Sequence, residues 1–289
     1  MEDAHTTILR LDGDRHISFF GVYDGHGGAK VAQYSGEKIH KKIMDQPQYV
    51  LGDYGAAMTA GFLGTDQDLR IDPEFENDPS GCTAVATIIT DDWRIVCANA
   101  GDSRAVLSAN GVEVPLSFDH KPVNPLETKR ITEGGGYVEY GRVNGNLALS
   151  RAIGDFEFKN PEVPAESQIV TANPEIIERK LEDTDEFVVI ACDGIWDCKT
   201  NQEVVTYVRN KVAAGVSLQQ TCEDMMEDCL AADSEVGGVG CDNMTVMIIA
   251  LRRGKTYEEW ANEIKERVER TSGTAAVPAA EVTSNGMDE

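Results

Sequence analysis

Apolar runs of strand length recur along the chain, over residues 17–23, 83–90, 94–100, 105–108, 186–192 and 244–251. Asp12-Gly13 and Asn110-Gly111 are dipeptides that favour tight turns, so neighbouring runs are expected to fold back as hairpins and antiparallel sheet to be prominent. Helical patterns are interspersed with these runs rather than alternating strictly with them. Thr200-x-x-Glu203, Ser217-x-x-Gln220 and Thr256-x-x-Glu259 have capping-box spacing and each predicts a helix start. Behind Ser217, the residues Leu218, Cys222, Met225, Met226, Cys229 and Leu230 form one apolar stripe at helical spacing, which reads as core rather than as a cofactor site. Asn124-Pro125 with Glu127 opens another helix that Gly134-Gly135-Gly136 ends, and residues 29–44 and 50–70 are helical in pattern. The proline-bearing stretch 155–174 is polar and weakly patterned, as expected of a surface loop or flap. Residues 271–289 are small, polar and acidic, and predict a disordered tail. With no repeat and no sign of a second domain, the division is a main domain over 1–251, a C-terminal helix over 252–270 and the tail over 271–289.

Composition narrows the classes. The chain has 289 residues, 41% hydrophobic and 26% charged, enough for a sizeable core. A formal net charge of −24 weighs against nucleic-acid partners and against anionic membrane surfaces. Met1-Glu2-Asp3-Ala4-His5 is acidic and makes no signal peptide, and no apolar stretch approaches the roughly 20 residues of a bilayer span. Seven cysteines without a C-x-x-C pair indicate neither a disulfide framework nor a zinc knuckle. A reducing compartment, cytoplasm or nucleus, is the expectation. Asn243-Met244-Thr245 is formally a glycosylation acceptor but opens an apolar run, and is set aside.

The informative chemistry is an acidic residue repeated at the ends of apolar runs. Residues 17–23 lead into Asp24-Gly25-His26, 94–100 into Gly101-Asp102, and 187–192 into Asp193-Gly194, while Asp242-Asn243 precedes 244–251. One Asp-Gly is an ordinary turn. Four such sites are different, because strand ends gather at one rim of a sheet, where carboxylates raise one another's pKa unless cations sit between them. Hard oxygen ligands without supporting His or Cys suit Mg²⁺ or Mn²⁺ better than Zn²⁺. Two such ions lower the pKa of a shared water and clamp phosphoryl oxygens.

Seven segments in order carry a resemblance: Met1-Glu2-Asp3-Ala4-His5, Val22-Tyr23-Asp24-Gly25-His26-Gly27-Gly28, Ser80-Gly81-Cys82-Thr83-Ala84, Asn99-Ala100-Gly101-Asp102-Ser103-Arg104, Leu149-Ser150-Arg151-Ala152-Ile153-Gly154-Asp155, Ala191-Cys192-Asp193-Gly194-Ile195-Trp196-Asp197 and Cys241-Asp242-Asn243-Met244-Thr245. Together they resemble the motif series of the metal-dependent protein serine/threonine phosphatases of type 2C. The resemblance implies an α+β fold, a central sandwich of two antiparallel β-sheets flanked by α-helices in four layers, with residues 1–251 as the phosphatase domain. It implies two Mg²⁺ or Mn²⁺ ions per chain and a weaker third. Asp24 would bridge both ions with the Gly25 carbonyl on one, and Asp193 and Asp242 would hold the other. Glu2 would act on a metal through water, and Asp3 would orient the nucleophilic water. His26 would be the general acid, and Asp102 would hold the third ion with Asp193. The family's flap follows Arg151, which either faces the substrate phosphate or forms a salt bridge. The implied partners are phosphorylated proteins such as kinases of signalling cascades, met by a monomer.

One departure stands out. The family carries a strand and a Gly-x-Arg segment before Met-Glu-Asp, and its Arg grips the substrate phosphate. This sequence starts at Met1, so the expectation is a less well covered edge over residues 8–11. The absent Arg also raises a competing reading, a phosphatase-fold binding module of weak or no activity. A phosphodiesterase or nuclease is disfavoured by the charge of −24.

Overall fold

The computed structural model describes residues 1–13, 16–231 and 238–274, the last four by their backbone alone. Among the described residues, nine strands build the two main antiparallel sheets. β1 (Ala4–Ile8), β2 (Ser18–Tyr23), β3 (Ala84–Ile89) and β4 (Arg94–Ala100) lie side by side, and a later strand, Glu175–Lys180, closes the far edge of this first sheet. The second sheet has β5 (Arg104–Ala109) between β6 (Val112–Pro115) and β8 (Asp185–Ala191), with β9 (Val246–Ala250) on the outer edge; Glu175–Lys180 is thus β7.

The strands read as continuous apolar runs because both of their faces are covered. In β2, Phe20 and Val22 meet Val188 and Ile190 of β8 between the sheets. Phe19 and Tyr23, on the opposite face, meet Ile39 and Ile43 of α1 (Lys30–Met44) and Met58 and Phe62 of α2 (Tyr54–Ile71). The short helix α3 (Pro125–Glu133) lies between β6 and β7 in the chain. In β8 the odd positions Phe187 and Val189 turn outward to Val204 and Val208 of α4 (Asn201–Ala213), Met225 of α5 (Leu218–Cys229) and Trp260 and Ile264 of α6 (Tyr257–Thr274). The result is the four-layer α-β-β-α sandwich.

Local chemistry sets the boundaries. At Thr200 both halves of the capping box form: the Glu203 N–H donates to Thr200 Oγ1 (3.3 Å) and the Thr200 N–H to Glu203 Oε2 (2.8 Å). Thr256 and Glu259 do the same at 3.2 and 2.8 Å. Ser217 makes only its own half, because the Gln220 amide is drawn to Asp224 at 2.8 Å. Asn110 (φ 51°) and Gly111 (φ 82°) make the two-residue turn joining β5 to β6, both in the left-handed region that such hairpins demand.

Several expectations are corrected. Asp12-Gly13 lies in a loop longer than a two-residue turn, since β1 ends at Ile8 and β2 begins at Ser18. Leu230 drops out of the apolar stripe: α5 stops at Cys229 and Leu230 is exposed. The C-terminal helix runs over Tyr257–Thr274 and packs into the same core as the second sheet. Of the tail, residues 275–289 lie outside the described residues. The stretch 155–174 is also more than surface. Phe158 and Val170 are buried with Ile131, Val143 and Ala152, and the Gln168 amide bonds across the loop to the backbone of Asn160. Its polar residues act as internal fasteners, which hydropathy alone reads as solvent-facing. β1 is an edge strand; beyond it Leu9 is exposed while Leu11 is buried.

Candidate active site

Strand register explains why motifs far apart in sequence meet at one end of the sandwich. Ala4 pairs with Tyr23, so Asp3 and Asp24 leave the first sheet together. Val22 pairs with Val85, and Ala84 with Ala100, which sets Thr83 beside Asp24 and Gly101-Asp102 beside Thr83. The Thr83 N–H accordingly donates to the Asp24 carbonyl at 2.9 Å. In the second sheet Ala191 pairs with both Val246 and Arg104, so Asp193 emerges between the approaches to Asp242 and Asp102. Two close approaches require glycine. A Cβ on Gly25 would stand 2.3 Å from the Glu2 carbonyl oxygen, and one on Gly194 would stand 2.2 Å from that of Asn243. Gly25 therefore seats the Glu2-Asp3 segment and Gly194 seats the Asp242-Asn243 segment. The Glu2 N–H donates to Asn243 Oδ1 (2.6 Å) and Thr245 Oγ1 donates to Asp3 Oδ2 (2.7 Å), closing the N-terminal segment onto the approach to β9.

The electrostatics of this end are strained. Burial, followed by the charges of Asp193, Asp3, Asp102 and Asp242, pushes the Asp24 carboxyl up to about 9. Burial, then Asp102, Asp197 and Asp242, lifts Asp193 to about 6. Burial also raises Asp3, against its hydrogen bond from Thr245, and raises Asp102, against the neighbouring Lys121. Asp242 is exposed, and its Oδ1 accepts the Asn243 N–H at 2.7 Å. Among the described residues no three His, Cys, Asp or Glu side chains stand at the spacing of a closed metal site, so these carboxylates face one another without converging on a point. Asp3 Oδ1 is buried without a hydrogen-bond partner. An all-oxygen donor set, mutual repulsion and an orphaned carboxylate oxygen fit a hard divalent cation.

His26 is held by a device the sequence does not advertise. Gly25-His26 pairs with Gly81-Cys82, which pairs in turn with Ile153-Gly154, and this small sheet delivers Asp155 to the imidazole. Nε2 lies 2.8 and 2.9 Å from the two Asp155 carboxylate oxygens. Burial works to lower the His26 pKa, but the hydrogen bond and charge of Asp155, helped by Asp102 and Glu2, outweigh it and the net shift is upward. Asp155 sits at φ 52°, a left-handed conformation that aspartate tolerates.

Lys121 is a second residue that sequence reasoning missed: its ammonium pairs directly with Asp102 Oδ2. No local pattern in the sequence points to it. Arg151 is held by Glu127 and the backbone of Asn173. Its Nη2 donates to Glu127 Oε1 (2.7 Å) and its Nη1 to the Asn173 carbonyl (3.1 Å), so of its two readings the geometry matches the salt bridge.

Comparison with known proteins bears on the family and the fold. The family model described as protein phosphatase 2C matches residues 1–236. Protein phosphatase 2C homolog 2 of Aspergillus fumigatus is 53% identical, over 96% of this chain and 68% of its own length. The protein of the same name from Hypocrea jecorina is also 53% identical, over 96% of this chain and 65% of its own length. Among solved structures, one described as a C. elegans sex determining protein superposes with a TM-score of 0.74 at 26% identity, covering 91% of this chain and 64% of the other. The chain thus spans about two thirds of the length of each of these relatives. With the family model matching most of its length, the chain belongs to the protein phosphatase 2C family.

Proposed function

We propose that this chain hydrolyses phosphoserine and phosphothreonine on proteins by a water activated between two Mg²⁺ or Mn²⁺ ions. The observation that carries the reading is Asp24, pushed up to about 9 by burial and by the four carboxylates around it. That much acid, gathered at one end of the sandwich from both sheets with Lys121 to offset part of it, calls for cations. Asp24, the Gly25 carbonyl, Asp193 and Asp242 are the residues we assign to two ions, with Glu2 acting through water and Asp102 serving a weaker third. When bound, such ions supply a more acidic water and positive charge for the phosphoryl oxygens.

The chain's own residues then have separable tasks. Asp3, fixed by Thr245 through one oxygen, keeps the other, Oδ1, to orient the attacking water. Asp155 holds the Nε2 side of His26, which leaves Nδ1 to give a proton to the departing serine or threonine oxygen. An alkoxide leaves poorly, so an acid held protonated near neutrality accelerates that step. The names of the relatives and the full set of acids support catalysis over a non-catalytic phosphoprotein-binding module. The test is phosphate release from a phosphothreonine peptide by dialysed protein. Release that requires Mn²⁺ and stops with EDTA is expected; full turnover in excess EDTA would rule the reading out.

A further inference from the structure

Two thiols outside the acidic end meet behind the segment that carries Asp193. Cys198 follows the short helix Asp193–Trp196; its Sγ donates to the Gly194 carbonyl at 3.4 Å and lies 3.6 Å from the carbonyl oxygen of Cys229. Cys229 is the last residue of α5, and the approach of Cys198 Sγ to its carbonyl oxygen makes the two cysteines neighbours across the gap between α5 and the Asp193 helix. Their accessibilities differ. Cys198 is half-buried and lines a surface cavity of about 370 Å³ with Lys199, Gln202 and Tyr207, whereas Cys229 is buried. One sulfur is open to a small polar oxidant, and the other waits behind it in the place of a resolving thiol. Burial, then the neighbouring Cys198, pushes the Cys229 thiol up to about 11, which keeps it from reacting first.

We propose that Cys198 and Cys229 form a peroxide-sensitive pair that closes a disulfide between α5 and the Asp193 helix. Cys198 gives up its proton, its thiolate attacks one peroxide oxygen, the O–O bond breaks, and Cys198 becomes a sulfenic acid while the departing hydroxide takes up that proton as water. Cys229 sulfur then attacks the Cys198 sulfur, forming the S–S bond and expelling the hydroxyl, which departs as a second water with the Cys229 proton. The two thiols lose two electrons and hydrogen peroxide gains them.

The link reaches the acidic end by two routes. Oxidation removes the S–H that now binds the Gly194 carbonyl, one residue from Asp193. Just past Cys229, the Ala231 N–H donates to the Gly240 carbonyl at 3.0 Å, two residues before Asp242. Disturbing outer supports of a metal site costs affinity on the order of tenfold or more. This consequence rests on the metal reading above; the cross-link itself does not.

The experiment treats reduced, metal-free full-length chain with hydrogen peroxide, alkylates the remaining thiols and maps peptides without reduction. Peptides carrying Cys198 and Cys229 should appear joined, lighter by two hydrogens than their sum, and dithiothreitol should separate them. The same cross-link is expected in the double variant Cys222→Ser, Cys241→Ser, while Cys198→Ser should leave Cys229 alkylated. Cys198 carried to sulfinic acid beside an alkylated Cys229, or joined to another cysteine, would overturn the pair. Mn²⁺ titration of the cross-linked protein should show about tenfold weaker binding, restored by dithiothreitol. Cross-linked protein with unchanged Mn²⁺ affinity would overturn the connection to Asp193.

Discussion

Buried carboxylates meet opposite fields in two regions of this molecule. Glu127 in α3 is 3% exposed. Burial would raise it, but Arg151, the Ser150 hydroxyl and Arg130 outweigh burial and pull it down to about 2. Its Oε2 accepts from Arg130 Nη1 and Ser150 Oγ, both at 2.7 Å, while Arg151 clamps Oε1. The two arginines in turn bind backbone carbonyls at Ser150, Gln168 and Asn173, so Glu127 is the hub from which both ends of the loop over 155–174 are hung. At the strand ends the same chemical group has no such company, and Asp24 is pushed up to about 9 by burial and by four other acids. A carboxylate with its counter-charges in place is structure. One surrounded by its own kind is waiting for cations.

The largest effect should come from neutralising the acid at the centre of the repulsion. Asp24→Asn is expected to abolish Mn²⁺ binding and reduce turnover to background, yet to raise the melting temperature of the metal-free protein. A variant that melted lower without metal would mean that Asp24 is paired after all. Glu127→Ala makes the opposite case, because it strands two guanidinium groups. Removing one partner of a buried ion pair costs about 3–5 kcal/mol. Chemical unfolding should show that loss, with Mn²⁺ affinity nearly unchanged, and a loss under ~1 kcal/mol would reduce Glu127 to a surface pair.

Titration sharpens the contrast, since the two regions should respond to pH with opposite signs. Glu127 has its folded pKa below the ordinary 4.5, so its contribution is present above pH 4.5 and lost as pH falls through about 2. Asp24 has its folded pKa above the ordinary 3.8, so its contribution is present below 3.8 and drains away as pH rises through about 9. Metal-free protein should therefore lose stability between pH 5 and 8, and Mn²⁺ should flatten that slope. Melting curves across this range, with and without Mn²⁺, decide it; parallel curves would contradict the assignment.

The smallest effect expected is at the edge of the acidic region. His26→Ala should slow turnover by ~10²–10⁴, the span of general acid catalysis, and spare metal binding. Asp155→Asn should cost less. Without that carboxylate the His26 pKa falls, fewer molecules carry the proton at neutral pH, and the high-pH limb of the rate profile moves to lower pH. A profile identical to wild type would remove Asp155 from the mechanism.

Much of this was legible in the sequence. The apolar runs fall on six of the nine strands of the two main sheets because both faces of each are covered, which leaves an uninterrupted signature. The acids at strand ends were visible because Asp-Gly after an apolar run is a local pattern. Partnerships made through tertiary pairing were not. Asp155 reaches His26 only through three strands of two residues each, too short to leave any periodicity. Glu127 reads as an acid in a first helical turn, and nothing local says that its carboxylate will be buried against an arginine 24 residues away. Lys121 finds Asp102 across 19 residues by the return of the chain after β6. In each case the determining interaction is a charge pair made by tertiary contact, where spacing carries no information.

The claim that the acidic end is a cation site is tested most directly by calorimetric titration of Mn²⁺ into the metal-free chain at neutral pH, in two buffers of different protonation enthalpy. With Asp24 protonated until the ion arrives, binding should release protons, so the apparent heat should differ between buffers, and Asp24→Asn should abolish both heat and proton release. Absence of Mn²⁺ binding in the wild type, or equal affinity in Asp24→Asn, would contradict the account.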